Sequence, residues 1–264
     1  MNRNLRTAAW IAVLVAGSVR PAWAETLQDR FRSAVEAFEA GRYEEAANTF
    51  ADLRERYHVE SPDLLVNEGA AHFMAGRPGQ ALLRFHEAVR LAPGSRAAEV
   101  AEVNAQRVRA ALNERGATTG FVFGPYHDAW TALFGWVPAI PVTIVALVFW
   151  AALFGLLIVR RLTDSARTHR PLAALIAIAA CGVVLSGIAA FGAARVAAYE
   201  VGVIVAPSAP LLDRPDSLTP ALVLPEALEV RILDRFGGFV RVRLSSGQEG
   251  LIPERSVGVP RATS

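Results

Sequence analysis

The side chains best suited to catalysis or metal binding are scattered along this chain rather than grouped. No histidine has a second candidate ligand at the spacing of a metal-binding motif, and there is no HExxH helix, Walker loop or GxSxG elbow. His72 and His86 fall in adjacent predicted helices, where we interpret them as hydrogen-bonded or exposed rather than as ligands. The same interpretation covers the remaining histidines, His58, His127 and His169.

The other potentially reactive residues have simpler structural explanations. Ser245 and Ser246 lie in a predicted hairpin turn, where serine commonly bonds to the backbone. Glu44 and Glu45 stand at a predicted helix start, where carboxylates favour the helix dipole. The single cysteine, Cys181, lies in an apolar run and is interpreted as a small apolar residue. We therefore predict a protein that is not an enzyme and has no cofactor or metal ion.

Composition limits the class of protein further. The chain has 264 residues, 53% of them apolar, a positive mean hydropathy and a net charge of only +2. All 27 basic residues are arginines. The net charge of +2 is too small to suggest a nucleic-acid partner. The length leaves room for one or two small domains beside membrane spans.

Two uncharged apolar runs, residues 141–159 and 172–194, dominate the middle of the chain. At about 1.5 Å per residue, each is long enough to cross a hydrocarbon core of about 30 Å. We predict transmembrane helices at 139–159 and 172–194. The link between them, 160–171, has one acid, Asp164, and four basic residues: Arg160, Arg161, Arg167 and Arg170. Arginine-rich short loops stay in the cytoplasm, so both flanking regions are predicted outside. The alternative is a buried helical hairpin in a soluble protein.

The N-terminus has the pattern of a secretory signal peptide, residues 1–24. Arg3 and Arg6 precede an apolar stretch, and Ala22-Trp23-Ala24 is an A-x-A-like cleavage site. An uncleaved anchor remains an alternative. Either form exports the following region, in agreement with the orientation that the arginines predict.

Residues 25–114 contain a helical pattern that repeats at an offset of 35 residues. The segment beginning Gly41-Arg42 and followed by Phe50 recurs as Gly76-Arg77 followed by Phe85. Pro93 ends the second unit, and Ser95 is the predicted cap of a further helix. This pattern resembles tetratricopeptide repeats, with two repeats and a capping helix. Leu53 and His58 depart from the family pattern in the first repeat.

The resemblance implies a partner-binding groove on the inner face of the repeats. In such proteins the first helix of each repeat lines a concave surface. A hydrogen bond of Asn67 to local backbone or water is an equally good explanation of that residue. The candidate groove residues are Phe31, Val35, Phe38, Val66, Asn67, Ala70, Phe73, Asn104 and Arg107.

The connector at 115–138 is rich in aromatic residues. Aromatic rings just before a span typically lie at the membrane interface, and Trp130, Phe134 and Val137 would share one face of a short interfacial helix. Asp128 is the last charge of the connector. The other aromatic residues are Phe121, Phe123, Tyr126 and Trp136.

After the second span, residues 195–264 alternate in the manner of short β-strands. Valine and isoleucine recur with a period of two around 201–205, 229–232 and 240–244, and Gly237-Gly238 and Ser246-Gly247 supply turns. A proline-rich loop is predicted at 207–225. The order of elements resembles a bacterial SH3-like domain, a small five-stranded barrel. Phe239 and Leu251 replace the tryptophans usual in that family.

The predicted fold class is a multidomain membrane protein with an α-helical repeat domain, a two-helix transmembrane hairpin and a small all-β barrel. This order resembles the BatE-type proteins of the bacterial aerotolerance (Bat) operon. The resemblance implies a scaffold in the bacterial inner membrane with both end domains in the periplasm. It implies von Willebrand A-domain membrane proteins and a MoxR-type AAA+ ATPase system as partners, in envelope stress tolerance. An accessory subunit of a membrane enzyme is a weaker possibility. The main alternative function is peptidoglycan binding or wall sensing through the SH3-like domain.

Overall fold

A computed structural model describes residues 22–115, 120–163, 166–217 and 219–260 of the chain. Most of the predicted signal peptide, residues 1–24, lies outside these ranges. The described helices are α1 (Ala22–Glu39), α2 (Tyr43–Glu55), α3 (Pro62–Met74), α4 (Pro78–Leu91), α5 (Arg96–Arg115), α6 (Ala129–Phe134), α7 (Ala139–Leu162) and α8 (Ala166–Ala197). The strands are β1 (Glu200–Ile204), β2 (Ser208–Leu211), β3 (Leu222–Pro225), β4 (Glu229–Phe236), β5 (Phe239–Arg243), β6 (Glu249–Pro253) and β7 (Val257–Gly258).

Helices α1 to α5, which we call the repeat unit, contain two helix pairs with the same turn. At the first turn the Gly41 nitrogen donates to the Phe38 carbonyl, and at the second the Gly76 nitrogen donates to the Phe73 carbonyl. Both glycines have a left-handed backbone, with φ of +76° and +78°, which glycine adopts without steric penalty. The predicted 35-residue offset is therefore present in the backbone as a helical repeat.

Small residues let the helices of each pair approach closely. Phe50 and Phe85 are buried at equivalent positions of α2 and α4. The ring of Phe85 lies so near Gly69 that a Cβ atom there would be 2.7 Å from it. The Ser95 hydroxyl accepts from the Ala98 nitrogen at 3.2 Å, as the predicted cap of α5 requires.

The first repeat ends differently from the second. His58, at a position where a tetratricopeptide repeat would have proline, adopts φ of +51° after the end of α2. Proline cannot take this conformation because its ring holds φ near −65°. The departure at His58 is therefore a consequence of the turn between α2 and α3.

Helices α7 and α8 pack as an antiparallel hairpin with apolar outer surfaces. Segments Ile140–Leu162 and Arg170–Ala197 are long and apolar enough to cross a membrane, with mean hydropathies of 2.8 and 2.5. Almost none of the residues in the most apolar part of either segment is buried. The helices contact each other closely where the Phe149 ring lies against Gly182.

The link between these two helices is shorter than predicted. Most of 160–171 is helical, because α7 continues to Leu162 and α8 begins at Ala166. Pro171 lies inside α8, one turn after its start. As the sixth residue of the helix, Pro171 has no N–H to donate to the carbonyl four residues earlier, so α8 continues past it at the cost of one helical hydrogen bond.

The C-terminal region, which we call the sheet unit (residues 200–260), contains two antiparallel sheets around one core. The larger has the strand order β6-β5-β4-β1-β7, and the smaller pairs β2 with β3. A bridge between Leu212 and Leu251 connects the two sheets. Gly237 and Gly238, with φ of +58° and +79°, form the two-residue turn between β4 and β5.

The prediction of a loop at 207–225 was wrong in part, because β2 and β3 form a hairpin there. Pro210 and Pro225 obscured it, since proline normally interrupts a strand. In this sheet β2 and β3 pair only with each other, so each has a free side where a missing N–H is tolerated.

The repeat unit and the sheet unit share a hydrophobic core. Val203 and Ala227 of the sheet unit are buried in the same cluster as Leu82 and Phe85 of α4. Phe123 of the connector completes this cluster. The sequence left open whether the two regions touch, and the structure places them in direct contact.

Candidate functional site

The candidate groove residues lie on the first helix of each pair and on α5. Phe31 is exposed, and Asn67 and Asn104 are partly exposed. Arg107 is exposed and donates weakly to Asn104 Oδ1 at 3.4 Å. These side chains offer an apolar ring, two amides and a guanidinium, which could contact a partner segment.

The other candidate groove residues contribute more to the packing of the repeat unit. Val66 and Phe73 pack against the core shared with the sheet unit, and Val35 and Phe38 pack against the core of the first pair. The Phe38 ring contacts the Tyr43 ring edge-on, with centroids 5.3 Å apart. A substitution at these four positions would alter stability as well as the surface.

The sheet unit covers part of α4 and α5. The Gly79 nitrogen donates to Glu226 Oε1 at 2.9 Å, and Arg90 donates to the Pro260 carbonyl at 3.1 Å. Burial raises the pKa of Glu226. These contacts leave the candidate groove residues on α1, α3 and α5 as the partly exposed surface of the repeats.

A buried ion pair connects the two units. Arg109 of α5 donates to Glu229 of β4 at 2.6 Å, and Glu229 is nearly inaccessible. His86 Nε2 lies 3.3 Å from the same carboxylate oxygen. Burial alone would raise the pKa of Glu229, but His86 and Arg109 stabilise the charged form and the net change is downward. Breaking such a buried pair is costly because it leaves one charge without a partner.

A second buried carboxylate joins three helices of the repeat unit. Glu68 of α3 has no exposed surface and lies 2.9 Å from Arg54 of α2 and 2.9 Å from Arg84 of α4. His72 Nε2 is 3.7 Å away. Burial alone would raise the pKa of Glu68, but His72, Arg54 and Arg84 lower it to about 2. The cluster joins the two helix pairs by charge as well as by apolar packing.

This cluster borders a cleft of about 320 Å³ between the repeat and sheet units. Val205 and Glu226 line it from the sheet side, and Arg77 lines it from the start of α4. Arg54 Nη1, His72 Nδ1 and Arg77 Nη2 are buried without a hydrogen-bond partner among the described residues. The charges that line the cleft balance, because Arg54, Arg77 and Arg84 face Glu55, Glu68 and Glu226.

The aromatic connector, residues 115–138, contacts both the repeat unit and the sheet unit. Phe123 and Tyr126 are buried, whereas the sequence pattern placed all the connector rings at a membrane interface. Asn113 holds this segment by exchanging two hydrogen bonds of 2.8 Å with the Phe123 backbone. A groove of about 530 Å³ remains between the connector and the sheet unit, bordered by Phe121, His127, Ser245 and Ser246.

The rest of the connector packs on α8. Asp128 caps α6 by accepting from the Thr131 nitrogen at 2.8 Å, and it pairs with Arg231 of β4 at 3.6 Å. The Trp130 ring stacks on Phe134 and meets Phe191 of α8 edge-on. The predicted short helix with Trp130 and Phe134 on one side is therefore present as α6.

The buried ion pairs were not predicted from the sequence. Only the pair at Glu68 could have been recognised from the pattern of neighbouring residues. Glu68 lies among Leu64, Leu65 and Ala71 on the apolar side of α3, so a helical projection would have marked it. Glu229 and Arg109 are 120 residues apart, and no spacing rule connects them.

The other potentially reactive residues make local contacts or are exposed. The Ser245 hydroxyl accepts from the His127 backbone nitrogen at 3.3 Å. Arg42 pairs with Glu45 at 2.8 Å, and Glu44 lies 3.8 Å from Arg77. Cys181 is exposed on α8.

The chain matches no family model, and no curated protein or solved structure is significantly similar to it.

Proposed function

We propose that the protein is a non-catalytic scaffold of the bacterial inner membrane whose tetratricopeptide-like repeats bind partner proteins. The observation that carries this proposal is the arrangement of the repeat unit. Helices α4 and α5 contact the sheet unit, while Asn67 on α3 and Asn104 and Arg107 on α5 remain at least partly exposed. Repeat proteins use such surfaces to bind peptides or helices.

The exposure of α7 and α8 supports membrane insertion. A soluble protein rarely exposes apolar patches above a few hundred Å², and these two helices are apolar over nearly their whole surface. Burial of that surface in lipid would remove it from water. The arginines at 160–170 favour a cytoplasmic turn, with the repeat unit and an SH3-like sheet unit in the periplasm.

The order of these units resembles the BatE-type proteins of the aerotolerance operon. We therefore propose von Willebrand A-domain membrane proteins, working with a MoxR-type AAA+ ATPase, as the partners. In this proposal the helical hairpin holds the scaffold beside its partners, and the function is envelope stress tolerance.

The test is cross-linking of the full-length protein in native membranes, followed by identification of the linked proteins. The triple variant Asn67→Ala, Asn104→Ala, Arg107→Ala should lose at least about 80% of the cross-links to von Willebrand A-domain proteins, since a few side chains dominate most interfaces. The matched control is Asn48→Ala with Arg56→Ala, two exposed residues of α2 and its end. Equal cross-linking by the triple variant, the control and the wild type would overturn the proposed binding surface.

A second candidate function, peptidoglycan binding, is favoured by the groove between the connector and the sheet unit. Its lining combines apolar residues with His127, Ser245 and Ser246, which could bond to sugar or peptide groups. Full-length protein in mild detergent should then sediment with purified sacculi, and Ser246→Trp, which fills the groove mouth, should reduce that fraction. Absence of sedimentation by the wild type would reject this function.

A further inference from the structure

A second apolar groove lies between the short helix α6 and the long helix α8. It has a volume of about 600 Å³ and is lined almost entirely by carbon atoms. Leu133 and Phe134 form one wall, and Gly187, Ile188 and Phe191 lie on the other. Leu133 and Ile188 are largely exposed, so the groove is open to the surroundings of the helices.

The groove runs along α8 for about two turns. Its lining on that helix extends from Val183 to Phe191, which is a rise of about 12 Å. Gly187 stands at its centre, and no atom lies within 4 Å of the position that a Cβ atom would occupy there. The empty space is therefore caused in part by the missing side chain of Gly187.

An unpaired cation marks one end of the groove. Arg195 lies one turn beyond Phe191 on α8, and its guanidinium carbon is 5.2 Å from the centre of the Trp130 ring. Among the described residues, Arg195 has no ion pair with a carboxylate. Tryptophan and arginine side chains are typical of the headgroup level of a bilayer.

These features distinguish an acyl chain from a helix as occupant. Over the length of about 12 Å along α8, the volume of about 600 Å³ corresponds to a mean cross-section of about 50 Å², which is too small for a helix about 10 Å wide with its side chains. A hydrocarbon chain is narrow enough to follow the trough, and Arg195 complements a phosphate charge at its end. The geometry points to a binding site for one acyl chain of an anionic phospholipid from the outer leaflet, with its phosphate at Arg195. This inference rests on the proposed membrane location of α7 and α8.

The experiment is a titration of full-length protein in mild detergent, followed by native mass spectrometry. Phosphatidylglycerol is the anionic probe and phosphatidylcholine with the same acyl chains is the zwitterionic probe. We expect phosphatidylglycerol to bind the wild type about fivefold more tightly, since one arginine near a headgroup contributes a factor of that size.

Two variants test the two halves of the site. Gly187→Leu fills the groove and should weaken binding of phosphatidylglycerol about tenfold, because displacement of about two methylene groups suffices for that factor. Arg195→Gln should abolish the preference for phosphatidylglycerol. The matched controls are Gly155→Leu on α7, where a Cβ atom also meets open space, and Arg170→Gln near the other end of α8.

The outcomes separate this inference from the proposed function. Equal binding of both lipids, unchanged by Gly187→Leu, would mean ordinary surrounding lipid and would overturn the site. Release of the protein from membranes by alkaline carbonate would overturn the membrane location and the site together. Normal lipid binding without cross-links to von Willebrand A-domain proteins would reject the scaffold's proposed partners and leave the lipid site supported.

Discussion

At the scale of single residues, Glu68 shows how charge and packing combine in the repeat unit. Its carboxylate is inaccessible and is shared by Arg54 and Arg84 from two other helices. Arginine suits this role because its planar guanidinium can serve several oxygens at once. The cluster fixes the relative positions of α2, α3 and α4 more precisely than apolar contacts alone would.

We expect Glu68→Gln to destabilise the protein by about 3 to 5 kcal/mol, because two buried guanidinium groups lose their counter-charge. The measurement is thermal unfolding of the full-length protein in detergent, followed by tryptophan fluorescence. Glu44→Gln is the control, since Glu44 is exposed and lies 3.8 Å from Arg77. That change should alter stability by less than about 0.5 kcal/mol. Equal melting temperatures for the two variants would contradict the role of the buried cluster.

The same carboxylate predicts a dependence of stability on pH. Its pKa in the folded protein is about 2, below the ordinary value of 4.5. The stabilisation from Glu68 is therefore complete above about pH 4.5 and is lost as the pH falls towards 2. Across this range the wild type should lose more stability than Glu68→Gln, by about 2 to 3 kcal/mol. Parallel pH profiles for the two proteins would show that the carboxylate is not stabilised in this way.

At the scale of elements, the contact between α4 and the sheet unit depends on Gly79. A Cβ atom there would lie 2.3 Å from the Ile204 carbonyl oxygen and 2.8 Å from the Glu226 side chain. The carbonyl belongs to the backbone and cannot rotate away. The sheet unit therefore approaches the helix as closely as glycine permits.

Gly79→Ala should separate the two units locally and reduce stability by about 1 to 3 kcal/mol, as overpacking of a close contact does. The measurement is amide hydrogen exchange of β1 and α4 in the full-length protein, which should accelerate in both. Gly124→Ala is the control, because a Cβ atom at Gly124 meets no atom within 4 Å. Unchanged exchange in Gly79→Ala would mean that the contact contributes little to the joining of the units.

The sequence predicted individual elements better than the contacts between them. The helix pairs at Gly41 and Gly76 have periodic apolar residues and a local turn signal, so their existence could be read directly. The β2–β3 hairpin could not, because Pro210 contradicts strand propensity and only pairing on one side permits it. Burial of Phe123 and Tyr126 was equally hidden, since it depends on a sheet whose core residues come about a hundred positions later in the chain.

At the scale of the whole molecule, the proposed topology places the repeat unit and the sheet unit on the same side of the membrane. The test starts from Cys181→Ala and introduces single cysteines at exposed positions. Asn48→Cys in the repeat unit and Ser246→Cys in the sheet unit should react with a membrane-impermeant maleimide in cells with a permeabilised outer membrane. Thr163→Cys, at the turn between α7 and α8, should react only after lysis. Labelling of Thr163→Cys in unlysed cells, with protection of the other two cysteines, would indicate the opposite topology.

The short connection between α8 and β1 limits how far the sheet unit can extend from the membrane. Only Ala198 and Tyr199 separate the end of α8 from the start of β1, and Asp128 at the start of α6 pairs with Arg231 of β4. With α8 in the bilayer, the sheet unit has no tether on which to move outward. The repeats, packed on that unit, would stay at a constant height close to the lipid surface. If the repeats bind partner proteins as proposed, the bound segments must therefore belong to proteins that are themselves close to the membrane.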